Sequence, residues 1–158
     1  MQTRQLPPRT RMDLCQLLRD VPPACLTLMQ ANGIVLDQRL PDEQLPVDVG
    51  DQEFELLLAN VLHIAGHAMQ GGGMLQLLAR SEGSRAVVHF MDAGRDARSA
   101  GLAQLFCQPD ERTSGCVRAC EYIVHRHGGR IYAAPSSLGS LGLTLRLPLR
   151  PSLSEAWQ

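Results

Sequence analysis

The stretch that decides the fold runs from Thr113 to Leu147. It opens as Thr113-Ser114-Gly115-Cys116, which reads as loop. The next run, Val117 to His127, sets Val117, Cys120, Ile123 and Val124 on one face of a helix. Gly128-Gly129 ends that helix, because glycine accepts the left-handed conformation of a helix C-terminus. His125, Arg126 and His127 fall in its last turn, where donors and positive charge suit the helix dipole. Arg130 to Ala134 is then extended and Pro135 to Gly142 turns. Leu143 to Leu149 alternates as a strand, with Leu143, Leu145 and Leu147 on one side and Thr144 and Arg146 on the other.

Composition sets the limits around this stretch. A chain of 158 residues makes one domain with a sizeable core. The net charge of -1 argues against a general polyanion binder. All 15 basic residues are arginine, which excludes lysine-based catalysis and lysine contacts to phosphate. Five cysteines, with no C-x-x-C pair, point to reduced thiols in a cytosolic setting. Cys116 and Cys120 share a helix face, but a metal needs more ligands, so they read as apolar packing. No window approaches the roughly 20 apolar residues of a membrane span, and no signal peptide opens the chain.

Working back from the deciding stretch, residues 1–11 read as a flexible lead, 12–150 as the domain and 151–158 as a tail. Met12 to Val21 is expected as a helix with Asp13 near its start, stopped by Pro22-Pro23. Ala24 to Met29 reads as a strand and Asn32-Gly33 as a hairpin turn, followed by a short strand from Ile34 to Leu36. Pro41 to Gly50 is loop, with Leu45 to Val47 extended. Asp51 caps the longest helix, which runs to Met69 with an apolar face of Phe54, Leu57, Leu58, Val61, Leu62 and Ala65. Gln70 to Gly73 ends it. Met74 to Arg80 and Arg85 to Met91 are strands, the second apolar enough to be covered on both faces. Asp92-Ala93-Gly94 follows it, a geometry that suits a ligand site or a plain turn. Ser99 to Phe106 reads as a short helix. The order predicts an α/β sandwich, with helices on one face of a mixed sheet.

These words, in this order, resemble the catalytic, ATP-binding domain of two-component sensor histidine kinases, over nearly the whole chain from Asp13 to Leu149. Tyr122-Ile123-Val124-His125-Arg126-His127-Gly128-Gly129-Arg130-Ile131 resembles the family's helix and its turn into the next strand. Arg146-Leu147-Pro148-Leu149 resembles the family's ending, and Leu105-Phe106 its phenylalanine box. Asp92-Ala93-Gly94 resembles the box whose aspartate accepts the adenine amino group, and Asn60 matches the first asparagine of the asparagine box. The resemblance implies the Bergerat (GHKL-type) fold, a two-layer sandwich with three helices on one face of a mixed five-stranded sheet, together with a bacterial origin and ATP between two helices and a flexible lid. It implies cofactor-binding roles for Asn60, His67, Asp92, Gly94, Phe106, Gly115 and Thr144. His67 stands where the family often carries a lysine that reaches phosphate, which a protonated imidazole can imitate.

The departures fall where Mg-ATP chemistry is carried. Ile64 stands at the second asparagine, which normally holds magnesium, and isoleucine has no oxygen for a hard cation. Asp96 replaces the second glycine of the first glycine box and would repel phosphate. Cys116 replaces a glycine whose backbone should approach phosphate closely. The lid, Cys107 to Thr113, is short. His63 and His67 lie four apart on the long helix, a spacing that can share a metal, but without the glutamate of a zinc protease they read as exposed or lid-facing.

The expectation is a degenerate, pseudokinase-like domain with weak or absent ATP and magnesium binding, no confident catalytic residue and no metal ligand. It would act in two-component signalling through contact with a dimerisation hairpin, another kinase or a response regulator. It would touch no nucleic acid beyond a nucleotide and no membrane. It would lie in the cytoplasm, or form the cytosolic part of a membrane-anchored sensor. The alternatives are a working ATP-binding domain that phosphorylates a partner's histidine, and a phosphotransfer adaptor on the same fold. No phosphoacceptor hairpin fits in the first fifty residues, so autophosphorylation within this chain is not expected.

Overall fold

The computed structural model describes residues 12–93, 101–135 and 141–150. The expected lead and tail, Gly94, Asp96, and the middle of the turn before the last strand lie outside the described residues.

Asp13 organises the first element. Met12–Asp13 is a two-residue strand, β1, and Leu14–Arg19 is helix α1. The Asp13 carboxylate accepts the N–H of Cys15 at 3.1 Å, capping α1, and the N–H of Leu45 at 2.8 Å. The helix is therefore shorter at both ends than expected. Pro22-Pro23 does more than stop it, because Pro23 opens helix α2, Pro23–Asn32. Ala24 to Met29 is thus helix and not strand. Proline is pre-set for a first helical position, where no hydrogen bond is lost. Asn32-Gly33 is not a hairpin turn either. Gly33, at φ 65°, is the left-handed C-cap of α2. The strand that follows, β2 (Ile34–Arg39), runs parallel to Gly73–Glu82, which no hairpin permits.

Pro46–Val47 (β3) pairs antiparallel with β1, Met12 opposite Val47. Helix α3 is Asp51–Ala68, and it buries Phe54, Leu57, Leu58, Val61, Leu62, Ile64, Ala65 and Ala68. Its cap position is Gly50 rather than Asp51. Asp51 is the first helical residue, and its carboxylate accepts the N–H of Gln52 at 2.8 Å. Gly73–Glu82 (β4) and Arg85–Ala93 (β5) form an antiparallel pair. Helix α4 is Leu102–Cys107, helix α5 is Ser114–Arg126, and the chain continues as β6 (Arg130–Pro135) and β7 (Leu141–Pro148). Ser114-Gly115-Cys116 is therefore the first turn of α5 and not loop. A tight turn before it, in which the Asp110 carbonyl accepts the N–H of Ser114 at 3.0 Å, starts the helix early.

The main sheet has the order β2-β4-β5-β7-β6, parallel at β2–β4 and antiparallel elsewhere. This is the expected two-layer sandwich on a mixed five-stranded sheet. Five helical segments among the described residues, α1 and α4 of six residues each, replace the expected three. Leu75, Leu77, Val88, Phe90, Leu143, Leu145 and Leu147 line the sheet's inner face and share one core with α3 and α5. From Ala86 to Met91 every residue of β5 is buried, so the strand is covered on both faces.

The deciding stretch behaves as its pattern requires. Val117, Cys120, Ile123 and Val124 are buried. Gly128 takes φ 72°, and Gly129 donates to the carbonyl of Val124 at 3.0 Å. A Cβ on Gly129 would run into the backbone oxygen of Arg146, so only glycine lets α5 turn this close to β7. His127 Nε2 lies 3.0 Å from the Glu53 carboxylate, joining the end of α5 to the start of α3. The far end of β7 is tied down in turn. Leu149 donates to the carbonyl of Ser84 and Arg150 to that of Pro46, both at 2.9 Å. No helix among the described residues is long and apolar enough to cross a membrane.

Candidate functional site

Helix α3 carries the first set of candidates. Asn60 and His67 sit two turns apart, both half-buried. Asn60 Nδ2 donates to the carbonyl of Leu56 at 2.8 Å, a bond inside the helix. Ile64 lies between them, within one turn of each, and is fully buried among apolar neighbours. The rings of His63 and His67 meet edge to face, 5.0 Å between centres. Partial burial lowers the basicity of His67, helped by His63 and the Arg112 guanidinium and opposed by Asp110. The segment before α5 is therefore within electrostatic reach of α3.

That segment is an ordered turn. The Asp110 carboxylate accepts the N–H groups of Arg112 and Thr113, at 2.9 and 3.0 Å, and the Thr113 hydroxyl at 3.1 Å. Thr113 is fully buried and occupies the N-cap position of α5. The N–H groups of the first helical turn have no partner within a helix. Gly115 lies in that turn, is exposed, and has open space where a side chain would stand. Cys116 follows, half-buried, with burial pushing its thiol pKa up.

Asp92 stands at the end of β5, on the same side of the sheet as Phe90, facing the helices. Its carboxylate accepts the N–H of Leu102 at 3.0 Å and so holds the first residue of α4. Phe106 is buried on α4, which packs on α3, β6 and β7. Asn60, His67, Asp92, Phe106 and Gly115 thus lie on elements that pack on, or bond to, one another. Gly94 lies outside the described residues. Thr144 is set apart. It is buried on the opposite face of the sheet, hydrogen-bonded to His89 at 3.0 Å.

His89 is the polar residue that sequence reasoning passed over. It is buried, its Nε2 has no hydrogen-bond partner among the described residues, and burial lowers its pKa. One histidine inside the apolar run Ala86 to Met91 was the available signal. A cavity of about 450 Å³ opens between the ends of α2 and α3, lined by Asn32, Gly33, Gly66, His67 and Gln70 among others. Among the described residues no group of three or more His, Cys, Asp or Glu is placed to hold a metal.

No family model matches the chain. It is 28% identical over 155 residues to the signal transduction histidine-protein kinase BaeS of Escherichia coli (strain K12), covering 91% of this chain and 33% of that protein. It is 26% identical over 125 residues to the alginate biosynthesis sensor protein KinB of Pseudomonas aeruginosa, covering 75% and 21%. The chain therefore spans a third or less of the length of these relatives. Among solved structures it is similar to the catalytic domain of histidine kinase ThkA, with a TM-score of 0.68 at 18% identity over 90% of this chain and 98% of that one. Acinetobacter baumannii histidine kinase AdeS matches with a TM-score of 0.64 at 15% identity, over 90% and 68% of the two chains. Mycobacterial sensor histidine kinase MprB matches with 0.62 at 14%, over 90% and 100%.

Proposed function

We propose that this chain, which has the fold of the catalytic domains of sensor histidine kinases, serves two-component signal transduction as a degenerate ATP-binding domain. It acts through contact with a dimerisation hairpin, another kinase or a response regulator, on the cytosolic side, free or within a larger sensor. The observation that carries this reading is Ile64. It is fully buried and apolar, one turn after Asn60 on α3, at the position where the resemblance calls for a magnesium ligand. A hard cation takes oxygen ligands, and this side chain has none. The residues present do not fit magnesium there. Cys116 in the first turn of α5 adds a side chain where a phosphate would need bare backbone.

The test is titration of the whole chain with a fluorescent ATP analogue, with and without magnesium. Weak binding that magnesium does not improve is expected. Magnesium-dependent affinity in the low micromolar range would overturn the reading.

The second reading, a working ATP-binding domain that phosphorylates a partner's histidine, draws on a different observation. Asp92 faces the helical layer and the space beside Gly115 is open, which supports Asp92 as an acceptor for adenine and the first turn of α5 as a source of donors. The same titration separates the two readings.

A further inference from the structure

We propose that His63 and His67 form a two-imidazole site for a late first-row transition ion such as Ni²⁺ or Zn²⁺, independent of any nucleotide. The residues lie four apart on the last turns of α3, so both side chains leave the same face of the helix. Their ring centres are 5.0 Å apart with the planes inclined at 77°. A metal–nitrogen bond of about 2.1 Å sets each ring centre roughly 3.2 Å from the ion, and two ligands at 90–109° then have centres about 4.5–5.2 Å apart. The ring centres already stand at that separation, and rotation of the edge-to-face rings about their Cβ–Cγ bonds is the adjustment that turns one nitrogen of each toward a shared ion. Neither ring makes a hydrogen bond to a described residue, so no nitrogen must first be released.

Both rings are half-buried, which restricts their rotamers while leaving a side open for the ion and its waters. Burial, helped by His63 and Arg112 and opposed by Asp110, lowers the basicity of the His67 ring and so favours the neutral form, the one that binds metal. Imidazole suits nickel, copper and zinc and does not suit magnesium, so this site is distinct in chemistry from the magnesium position at Ile64. No third His, Cys, Asp or Glu among the described residues completes the shell. Water fills the remaining positions and the ion exchanges readily. A bound ion links two successive turns and stabilises the native state, because the unfolded chain does not hold the rings together.

The experiment is calorimetric titration of the whole chain with NiCl₂ alone, paired with urea unfolding in the presence and absence of the ion. The parent is expected to bind one equivalent and to unfold at higher urea with nickel. His63→Gln and His67→Gln should each weaken binding about tenfold or more, and the double variant should lose both binding and stabilisation. Cys116→Ser and Cys107→Ser, which remove the thiols of the neighbouring segment, should bind as the parent does. No nickel binding by the parent overturns the proposal. So does undiminished binding by the folded double variant, or loss of binding in either serine variant.

Discussion

His89 and Thr144 face each other across β5 and β7, the imidazole Nδ1 3.0 Å from the hydroxyl oxygen, on the face of the sheet opposite the Phe90 core. The other ring nitrogen has no partner among the described residues. Burial, with the Arg80 guanidinium, disfavours the imidazolium, and Glu82 only partly offsets this.

The consequence for pH is direct. The His89 pKa lies below its ordinary 6.5 in the folded protein, so the unfolded chain binds more protons in the window between the two values. The stability it contributes is complete above pH 6.5 and is lost as pH falls through the folded value. His89→Leu should flatten the fall of the urea midpoint below pH 6.5. An unchanged slope would place the acid sensitivity elsewhere, His67 being the next candidate.

Ile123 is 4% exposed, on the face of α5 that closes the core. Ile123→Ala should cost about 2–5 kcal/mol as a cavity change, read from denaturant unfolding. A near-neutral result would show that the core collapses to fill the space.

Asp92 holds α4 to the end of β5 through the Leu102 N–H. Asp92→Ala should cost about 0.5–2 kcal/mol, as loss of a helix cap does, while Asp92→Asn keeps an acceptor and should cost less. If nucleotide binds at all, Asp92→Asn should also weaken it, because a carboxylate is the stronger acceptor for an exocyclic amine. Equal stability of all three proteins would show that α4 does not need this bond.

Repair of the site separates local loss from deeper loss. Ile64→Asn restores a metal ligand, Asp96→Gly removes a carboxylate, and Cys116→Gly bares the first turn of α5. The triple variant should bind ATP with magnesium more tightly than the parent and than any single variant. Because Ile64 is fully buried, Ile64→Asn should also destabilise the fold by about 1–3 kcal/mol unless ligand or water reaches the amide. Calorimetry on folded protein decides the matter, and parent-like affinity would leave an interaction role as the better account.

What was legible beforehand follows from the range of the forces involved. The α5 face, the Gly128-Gly129 stop and the alternation of β7 are local, periodic patterns, and each stands as read. Pro23 and Gly33 each suit two local structures, so a short window does not choose between them. Proline ends one helix or begins the next, and a left-handed glycine closes a hairpin or caps a helix. The choice between them is made by packing of α2 on α3, a contact no short window contains. The same limit applies to the site. Type and spacing pointed to Asp92, but not to the partner that its carboxylate takes on α4. The opposition of His89 and Thr144 depends on a pairing of residues 55 apart.

The tie of Arg150 to Pro46, beside the pairing of Met12 with Val47, brings both ends of the described fold to one corner. Leu149 meets Ser84 at the start of β5, whereas Asp92 lies eight residues along that strand, about 26 Å away. The corner at which Met12 and Arg150 meet is therefore remote from the start of α4, which Asp92 holds at the other end of β5.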